Sequence, residues 1–338
     1  MDITYTPQFQ RSARLVRYLT ESARMVAWIG QQMVDVSWIS RTQRDALVRL
    51  AHYSTRIEGN PLTLPEVEAL AAGKDLAVEE RAKQEVLNYF SALRWIWKYS
   101  PTDIKEKDLL KLHKILTLGL LPKEEVGSYK TKSNAVFGNG RIVYKPPPPE
   151  ASAPLTRALL RWIHSAEEEH PIVIAAVAHY RLVSIHPFMD GNGRIARALE
   201  SWLLFRRGFD THHILALDEF FDHDRSRYYR EIQNVREQED DLTSWLEYVA
   251  EGINETLRKA QSRIQSLRVK GGLEKIVLIP KQERILQILS QVPRIRGGEL
   301  AKSLSVTRSH LSKMIRPMIQ AGLVAKEGST RSAAYRLP

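Results

Sequence analysis

The stretch HPFMDGNGRIAR, residues 186–197, brings together side chains that could act on a phosphate ester. His186 is a candidate general base, because a neutral imidazole can accept a proton near neutral pH. Asp190 supplies a hard oxygen ligand of the kind that suits Mg²⁺ beside phosphates. The residue before a proline avoids the helical conformation, so a helix should end at His186. The pattern therefore predicts a base and a metal ligand on one loop.

The residues that follow the carboxylate favour an anion-binding turn. Gly191 and Gly193 lack side chains, so the backbone on either side of Asn192 can approach a ligand closely. A helix should begin near Arg194, and the N–H groups at a helix N-terminus attract anions. Arg194 and Arg197 would share one face of its first turn. These features predict a phosphoryl-transfer site. A helix–loop–helix with a buried histidine and surface ion pairs is the alternative that residue types alone leave open.

The whole stretch resembles, position by position, the Fic-domain signature His-Pro-Phe-x-Asp/Glu-Gly-Asn-Gly-Arg-x-x-Arg. The resemblance extends over roughly 105–250 and implies a helical enzyme that transfers AMP from ATP to a Ser, Thr or Tyr hydroxyl of a target protein, which could be the chain itself. It also implies a role for each motif residue: His186 is the general base, Asp190 binds Mg²⁺, Gly191, Asn192 and Gly193 cradle phosphate, and Arg194 and Arg197 hold the outer phosphates.

A shorter motif, STRIEG at 54–59, fits the inhibitory pattern Ser/Thr-x-x-x-Glu-Gly/Asn of the same family. The resemblance implies that Glu58, with Ser54 in the motif, inhibits the enzyme by pairing with Arg197 in the place of the γ-phosphate. A bidentate carboxylate–guanidinium pair would also repel the anion that it displaces. A helix that simply ends at Glu58 and Gly59 is the alternative.

The tetrapeptide GNGR also occurs at 138–141, where its neighbours favour a β-hairpin with the turn at the glycines. Four prolines at 146–149 then predict an extended exit. The family resemblance implies that this hairpin is a flap that orients the target backbone by strand addition. The predicted flap residues are Val136, Phe137, Ile142 and Val143.

Most of the remaining chain shows apolar residues at helical spacing. The predicted helices are 15–33, 44–54, 83–100, 105–120, 155–169, 172–185 and 242–267, with one more after the second GNGR. We therefore expect a mainly α fold, a Fic-type helical bundle with a small β-hairpin flap. An N-terminal helical region at 1–100 would carry the inhibitory motif, the catalytic domain would span 101–267, and 268–280 would form a linker.

The C-terminal segment 281–338 is strongly basic, with eleven Lys/Arg and three Glu in a chain of net charge +11. Three short helical segments (281–291, 297–305 and 307–324), then a strand, a turn and a strand, predict a winged helix-turn-helix whose second helix-turn-helix element enters the DNA major groove. Thr307 is a good N-cap for the third helix. The residues expected to face duplex DNA are Arg308, Ser309, His310 and Lys313. A protein-interaction module is the alternative.

Other histidines and tyrosines are expected to be structural. His212–His213, His164 and His170 lack an accompanying ligand set, so core or solvated positions are favoured over a metal site. His113 is expected to pack in the core or to cap a helix. Tyr228–Tyr229 resembles the stretch that follows the motif in the family, where one tyrosine could line an adenine pocket and aromatic core is the alternative.

The composition fits a chain of two or three globular domains: 338 residues, 43% of them hydrophobic and none of them cysteine. The lack of cysteine excludes disulfides and thiolate metal sites. No apolar run approaches the roughly 20 residues that span a bilayer, and the N-terminus lacks a secretory pattern, so no membrane partner and a cytoplasmic location are expected.

Three functions remain open from the sequence. The favoured one is a self-inhibited protein adenylyltransferase that uses ATP and Mg²⁺. The second is a nucleotide-sensing transcriptional regulator, although the complete motif favours an enzyme. The third is a Fic enzyme that removes AMP, with Glu58 orienting water, or that uses another phosphate donor. The target protein, the DNA sequence and a homodimer are also left open.

Overall fold

The computed structural model describes residues 3–32, 36–99, 103–138, 140–210, 213–270, 280–304, 306–320, 322–328 and 333–338. Helices dominate these residues, and two small antiparallel sheets accompany them, as the sequence predicts. The described residues form two hydrophobic cores, one built from residues between 15 and 264 and one from residues between 285 and 337. The N-terminal region predicted at 1–100 thus shares a single core with the predicted catalytic domain.

Eleven helices of the described residues build the larger body. They are α1 (Ala13–Gln32), α2 (Val36–Ile57), α3 (Leu64–Ala71), α4 (Glu80–Lys98), α5 (Glu106–Thr117), α6 (Pro149–Ser165), α7 (Pro171–Ile185), α8 (Asn192–Arg206), α9 (Asp218–His223), α10 (Arg225–Glu237) and α11 (Thr243–Lys270). The central one is α7, which is apolar on almost every side and is surrounded by α6, α8 and α11. None of the helices within the described residues is both long and apolar enough to cross a bilayer.

Several boundaries differ from the sequence-based expectation. Helix α6 begins at Pro149, so only three of the four prolines lie in the extended exit, and a proline suits the first helical position. Helix α8 begins at Asn192, earlier than the expected start near Arg194. Helix α11 continues to Lys270, so residues 268–270 of the expected linker are helical, while 271–279 lie outside the described residues.

Three helices were missed because each is short or highly charged. Helix α3 nevertheless carries a sequence signal, a capping box in which Glu66 Oε2 accepts a hydrogen bond from Thr63 N at 2.7 Å. Helix α10 is capped by Asp224, which accepts from Arg227 N at 2.9 Å. The short helix α9 contributes only six residues.

The predicted hairpin is present between α5 and α6. Strands β1 (Val136–Gly138) and β2 (Arg141–Tyr144) are antiparallel, with Gly138 opposite Arg141, which leaves a two-residue turn. Gly140 has a φ of +74°, a left-handed conformation that glycine adopts without strain. Asn139 of this turn lies outside the described residues.

The C-terminal domain is a winged helix, as predicted. It contains α12 (Pro280–Gln291), β3 (Ile295–Arg296), α13 (Gly297–Ser303), α14 (Arg308–Gln320), β4 (Ala325–Glu327) and β5 (Ala334–Arg336), with sheet order β3-β5-β4. Thr307 caps α14, since its Oγ1 accepts from His310 N at 3.2 Å. The sequence did not reveal the two-residue strand β3, and α14 ends before the predicted residue 324. Residues 329–332 at the wing tip lie outside the described residues.

The winged helix contacts the larger body through α2. Helix α12 packs against α2, and Arg44 Nη1 donates to the Leu337 carbonyl at 2.8 Å. A shallow groove at this contact is lined by side chains from both bodies, among them Leu47, Trp97, Leu289 and Pro293. The helix that ends at the predicted inhibitory motif therefore also supports the C-terminal domain.

Candidate active site

His186 lies at the end of α7 and starts the loop that leads to α8. Its backbone is left-handed, with a φ of 49°, and its N–H donates to the Leu182 carbonyl at 3.0 Å. Nδ1 lies 3.3 Å from the Val183 carbonyl, and because a carbonyl only accepts, Nδ1 carries the hydrogen and Nε2 keeps its lone pair. Burial lowers the pKa of His186 to about 4, and the positive charges of Lys130 and Arg236 act in the same direction. His186 is thus neutral at pH 7.

Much of the motif loop is buried. Phe188 is fully buried, and its ring stacks on His113 at a centroid distance of 3.8 Å. The Asn192 side chain closes the loop, since Oδ1 accepts from Phe188 N at 3.0 Å and Nδ2 donates to Phe188 O at 2.9 Å. The side chain of Asn192 therefore supports the loop, and only its backbone N–H is available to a phosphate.

The first turn of α8 has the N-terminal geometry that the predicted anion site requires. Gly191 is its N-cap, with a φ of 80°, and the Ile195 N–H is the first to bond within the helix, to the Gly191 carbonyl at 3.0 Å. The N–H groups of residues 192–194 have no intrahelical acceptor, as at any helix N-terminus. A Cβ on Gly193 would collide with Glu58 Oε1, so the Glu58 carboxylate would have to shift if residue 193 carried a side chain.

His113 on α5 is a positioning residue that the sequence assigned only to packing or capping. Its Nδ1 accepts from Gly127 N at 3.1 Å, so Nε2 carries the hydrogen and donates to the Asp190 carbonyl at 3.0 Å. Burial lowers the pKa of His113 to about 4, which keeps this neutral form. His113 thereby fixes the backbone of the predicted metal ligand. Its place beside this loop is a tertiary contact that local sequence does not reveal.

Arg194 is buried between two carboxylates. Its Nη2 lies 3.4 Å from Asp190 Oδ2, and its Nη1 lies 3.5 Å from Glu85 Oε1 on α4. Only 3% of Arg194 is exposed, yet Nε and Nη1 have no hydrogen-bond partner among the described residues. A buried guanidinium with unused donors marks a place for an anionic ligand. Nothing in the sequence pattern indicates that Glu85 belongs to the site.

Arg197 joins the two sequence motifs. Its Nη2 lies 2.7 Å from Glu58 Oε1, and it also donates to Ser54, from Nε to Oγ and from Nη2 to the carbonyl, both at 2.8 Å. Glu58 pairs with Arg197 through one N–O contact and not through the bidentate pair that the sequence predicts. Nη1 of Arg197 is buried and has no hydrogen-bond partner among the described residues.

A buried polar network lies behind Arg197 and was also missed. The Ser54 hydroxyl bonds to Asp218, and burial raises the Asp218 pKa to about 6. His179 Nδ1 lies 2.8 Å from Glu200 Oε2, and its Nε2 lies 2.9 Å from the Tyr228 hydroxyl. Burial lowers the His179 pKa to about 3 and raises that of Glu200 well above its usual value, so this contact joins a neutral imidazole and a neutral acid.

The two tyrosines that follow the motif have different surroundings. Tyr228 is buried in the aromatic core, whereas Tyr229 is 51% exposed. The Tyr229 hydroxyl donates to the Ile57 carbonyl at 3.2 Å, beside Glu58. Tyr229 is therefore the one of the pair that faces the open side of the site.

The hairpin is held at its base by the last turn of α7 and by α10, and it is exposed at its tip. Tyr144 donates to the Ser184 carbonyl at 2.8 Å, and the Arg236 guanidinium lies 3.6 Å from the centre of its ring. The most exposed apolar side chains of the hairpin are Phe137, Ile142 and Val143, while Val136 is half-buried. Exposed apolar side chains on a two-stranded ribbon suit the binding of an extended peptide.

The donor set around Asp190 suits a phosphate-bound Mg²⁺. The carboxylate is 46% exposed, next to the first turn of α8. The described residues contain no group of three or more His, Asp or Glu side chains that could form a metal site. Mg²⁺ is usually held by one or two carboxylates together with substrate phosphates and water, so a single carboxylate at this place fits.

The face of α14 predicted to contact DNA is exposed. Arg308, Ser309, His310 and Lys313 all lie on the solvent side of the helix, while Leu311 and Ile315 face the domain core. Two of the histidines expected to be structural make packing or capping contacts: His213 stacks on Trp97 at 4.4 Å, and His170 caps α7 by accepting from Ile172 N at 3.2 Å. His164 lies 3.4 Å from Asp103, and His212 lies outside the described residues.

Comparisons with known proteins agree with this arrangement. Residues 103–204 match the model of the Fic/DOC family, and residues 278–333 match that of the MarR family. The protein adenylyltransferase Fic of Drosophila melanogaster is 32% identical over 224 residues, which cover 64% of this chain and 42% of that protein. The same values hold for the relative in Drosophila simulans. The chain thus spans about two fifths of the length of these curated relatives.

Two solved structures are similar over long stretches. A Fic family protein from Desulfovibrio desulfuricans G20 has a TM-score of 0.70 at 24% identity, and the match covers 99% of this chain and 98% of that chain. Fic-1 from C. elegans has a TM-score of 0.64 at 25% identity, covering 75% of this chain and 74% of that chain. The first of these shares the fold along nearly the whole chain.

Proposed function

We propose that the chain transfers AMP from ATP to a hydroxyl group of a target protein, because residues 103–204 match the model of the Fic/DOC family and residues 278–333 match that of the MarR family. The observation that carries the proposal is that one motif contains a neutral His186 and two buried arginines with unused hydrogen-bond donors. A base next to an anion site is what phosphoryl transfer requires. The identity of the relatives as protein adenylyltransferases supports AMP as the transferred group.

The proposed reaction balances with the groups in the site. The oxygen of the target hydroxyl attacks the α-phosphorus of ATP, the bond from that phosphorus to the bridging oxygen of the β-phosphate breaks, and pyrophosphate leaves. The hydroxyl proton goes to Nε2 of His186, whose lone pair is free because Nδ1–H faces the Val183 carbonyl. General bases of this kind typically contribute about 10²–10⁴-fold to the rate.

The phosphates bind at the start of α8. The backbone N–H groups of residues 192–194 and the guanidinium groups of Arg194 and Arg197 donate to phosphate oxygens. Asp190 would hold Mg²⁺ together with those oxygens, and the bound ion would neutralise part of the phosphate charge. The hairpin binds the target in an extended conformation along its exposed side, which brings the hydroxyl towards His186.

The proposal includes self-inhibition by the N-terminal motif. Glu58 uses Arg197 Nη2 and brings a negative charge to the place where the γ-phosphate would bind. Since Ser54 holds Arg197 independently of Glu58, the arginine stays in position when the carboxylate leaves. Inhibition is therefore a competition between a carboxylate and a phosphate for one guanidinium group.

Labelled ATP tests the reaction class. The full chain is incubated with Mg²⁺ and with ATP that carries the label on the α- or the γ-phosphate, and the intact mass of the protein is measured. Transfer from the α position only, with the mass of AMP added, is the expected result, and His186→Ala is the inactive control. Label from the γ position would mean another reaction. ATP binding without any label would favour the nucleotide-sensing regulator, and release of AMP from modified protein would reveal the reverse activity.

A second proposed function is DNA binding by the winged helix. It is supported by the basic exposed face of α14 and by the net charge of residues 281–338, which hold eleven Lys/Arg against three Glu. Duplex DNA would lie with its major groove against α14. A cytoplasmic setting is part of the proposal, since a cysteine-free chain suits a reducing compartment.

A further inference from the structure

Glu85 on α4 forms a bridge between the phosphate site and the inhibitory segment. Its Oε1 lies 3.5 Å from Arg194 Nη1, and its Oε2 accepts from Asn60 Nδ2 at 2.9 Å. Asn60 is the second residue after Glu58 and is itself buried. The side chain of Glu85 is 14% exposed, so both contacts are formed in a weakly solvated place.

The position of Glu85 is fixed by contacts that do not involve the motif loop. Asn60 Nδ2 also donates to the Ala82 carbonyl at 2.9 Å, and its Oδ1 accepts from Leu62 N at 3.1 Å. Asn60 is thereby anchored on α4, one helical turn before Glu85. This framework holds the carboxylate beside Arg194.

The contact between Glu85 and Arg194 is electrostatic and leaves the donors of the arginine unused. A separation of 3.5 Å exceeds the usual length of an N–H···O bond, and Nη1 and Nε have no hydrogen-bond partner among the described residues. Glu58, Glu85, Asp190 and Arg194 line the same open groove. A phosphate that bonds to Nη1 and Nε of Arg194 must therefore approach the Glu85 carboxylate closely.

We propose that Glu85 is a second inhibitory carboxylate, which opposes the binding of an ATP phosphate at Arg194 as Glu58 does at Arg197. This inference rests on the proposed function of the site. Each motif arginine is then paired with a carboxylate from outside the motif, one at the end of α2 and one on α4. Like charges in a weakly solvated groove repel, so both carboxylates lower the affinity for ATP.

Glu85→Gln is the direct test, because glutamine keeps an oxygen for Asn60 and removes only the charge. ATP binding is measured by calorimetry on the full chain in a His186→Ala background, which prevents turnover. We expect Glu85→Gln to lower the Kd for ATP at least about threefold. The same substitution should lower the Kd by about the same factor in a chain that already carries Glu58→Gly, since the two carboxylates act on different arginines. The Glu85→Ala variant removes the same charge and serves as the second variant if glutamine impairs folding, which a thermal melt reports.

Glu79→Gln is the matched control. Glu79 lies on the rim of the same groove, and the described structure records no contact between it and Arg194. Its removal should leave the Kd for ATP unchanged. An equal effect of Glu79→Gln would mean that the loss of any negative charge near the groove lowers the Kd, which would contradict a specific role of Glu85. An unchanged or higher Kd for ATP in Glu85→Gln would overturn the inference.

A kinetic comparison adds a readout that a merely structural role would not produce. With His186 present, Glu85→Gln should lower the KM for ATP and change kcat by less than about twofold, because the repulsion acts on bound substrate and transition state alike. A lower kcat at unchanged KM would contradict the inference. If the His186→Ala/Glu58→Gly chain binds no ATP at all, the proposed function itself fails, and this inference fails with it.

Discussion

The carboxylate of Glu58 lies 2.7 Å from the guanidinium group of Arg197, 139 positions away in the chain. Arg197 is fully buried, whereas the Glu58 side chain is 32% exposed. A partly exposed carboxylate can leave a buried arginine without crossing the protein interior. Arg197 is therefore the fixed member of the pair, and the Glu58 carboxylate is the member that can leave.

Glu58→Gly should increase AMP transfer at least about tenfold, a difference of about 1.4 kcal/mol in the binding of the productive substrate complex. The variant frees Arg197 Nη2 for the γ-phosphate and removes a like charge. Self-labelling from α-labelled ATP measures the change. The double variant Glu58→Gly/Arg197→Ala should lose the gain, and an unchanged rate in a folded Glu58→Gly chain would contradict the inhibitory role.

His186→Ala should reduce transfer by about 10²–10⁴-fold while the Kd for ATP stays within about twofold, because a general base acts on the transition state. The measurement combines initial rates with calorimetry. His164→Ala is the matched control, since His164 lies near Asp103 and away from the motif loop. If the His186→Ala variant retained most of the activity, His186 would not be the general base.

The acid side of the pH profile should report the lowered pKa of His186. Burial lowers this pKa to about 4, so the imidazole is neutral above that pH and becomes protonated, and unable to accept a proton, as the pH falls through it. We expect kcat/KM to change little between pH 8 and 6 and to fall near pH 4. A midpoint at the ordinary histidine value of about 6.5 would contradict the buried, neutral state.

Much of the catalytic site could be predicted from the sequence, because its main parts are contiguous. His186, Asp190 and the two arginines lie within one stretch of twelve residues. Gly191 and Gly193 predict the turn that precedes Arg194. His113 and Glu85 could not be found in this way. Each lies on another helix, and nothing in LLKLHKIL or KQEVLNYF separates a residue that contacts the loop from one that packs elsewhere. Such contacts arise only when α4 and α5 pack beside α8.

His113→Ala should lower kcat/KM by about 10–100-fold, in the range reported for partners that orient metal ligands. The variant removes the hydrogen bond to the Asp190 carbonyl, so the Mg²⁺ concentration needed for half-maximal activity should rise. Rates are measured against Mg²⁺ concentration, with His164→Ala as control. An unchanged dependence on Mg²⁺ would leave His113 with a packing role only.

The full chain should bind duplex DNA with an affinity that falls steeply with salt. Arg308→Ala and Lys313→Ala should each reduce the slope of log K against log salt by about one, because each removes one phosphate contact. Lys281→Ala is the control of equal charge change, since Lys281 is exposed in the same domain outside α14. An equal effect of all three variants, or no binding at low salt, would favour a protein partner for this domain.

Helix α2 is one uninterrupted helix of 22 residues that carries Arg44 against the winged helix and ends beside Glu58. A displacement of α2 as a whole would move Arg44 and the end beside Glu58 together. Any ligand of the C-terminal domain that shifts α2 changes the population of chains in which Glu58 is docked on Arg197. By reciprocity, ATP then changes the affinity for that ligand by the same factor.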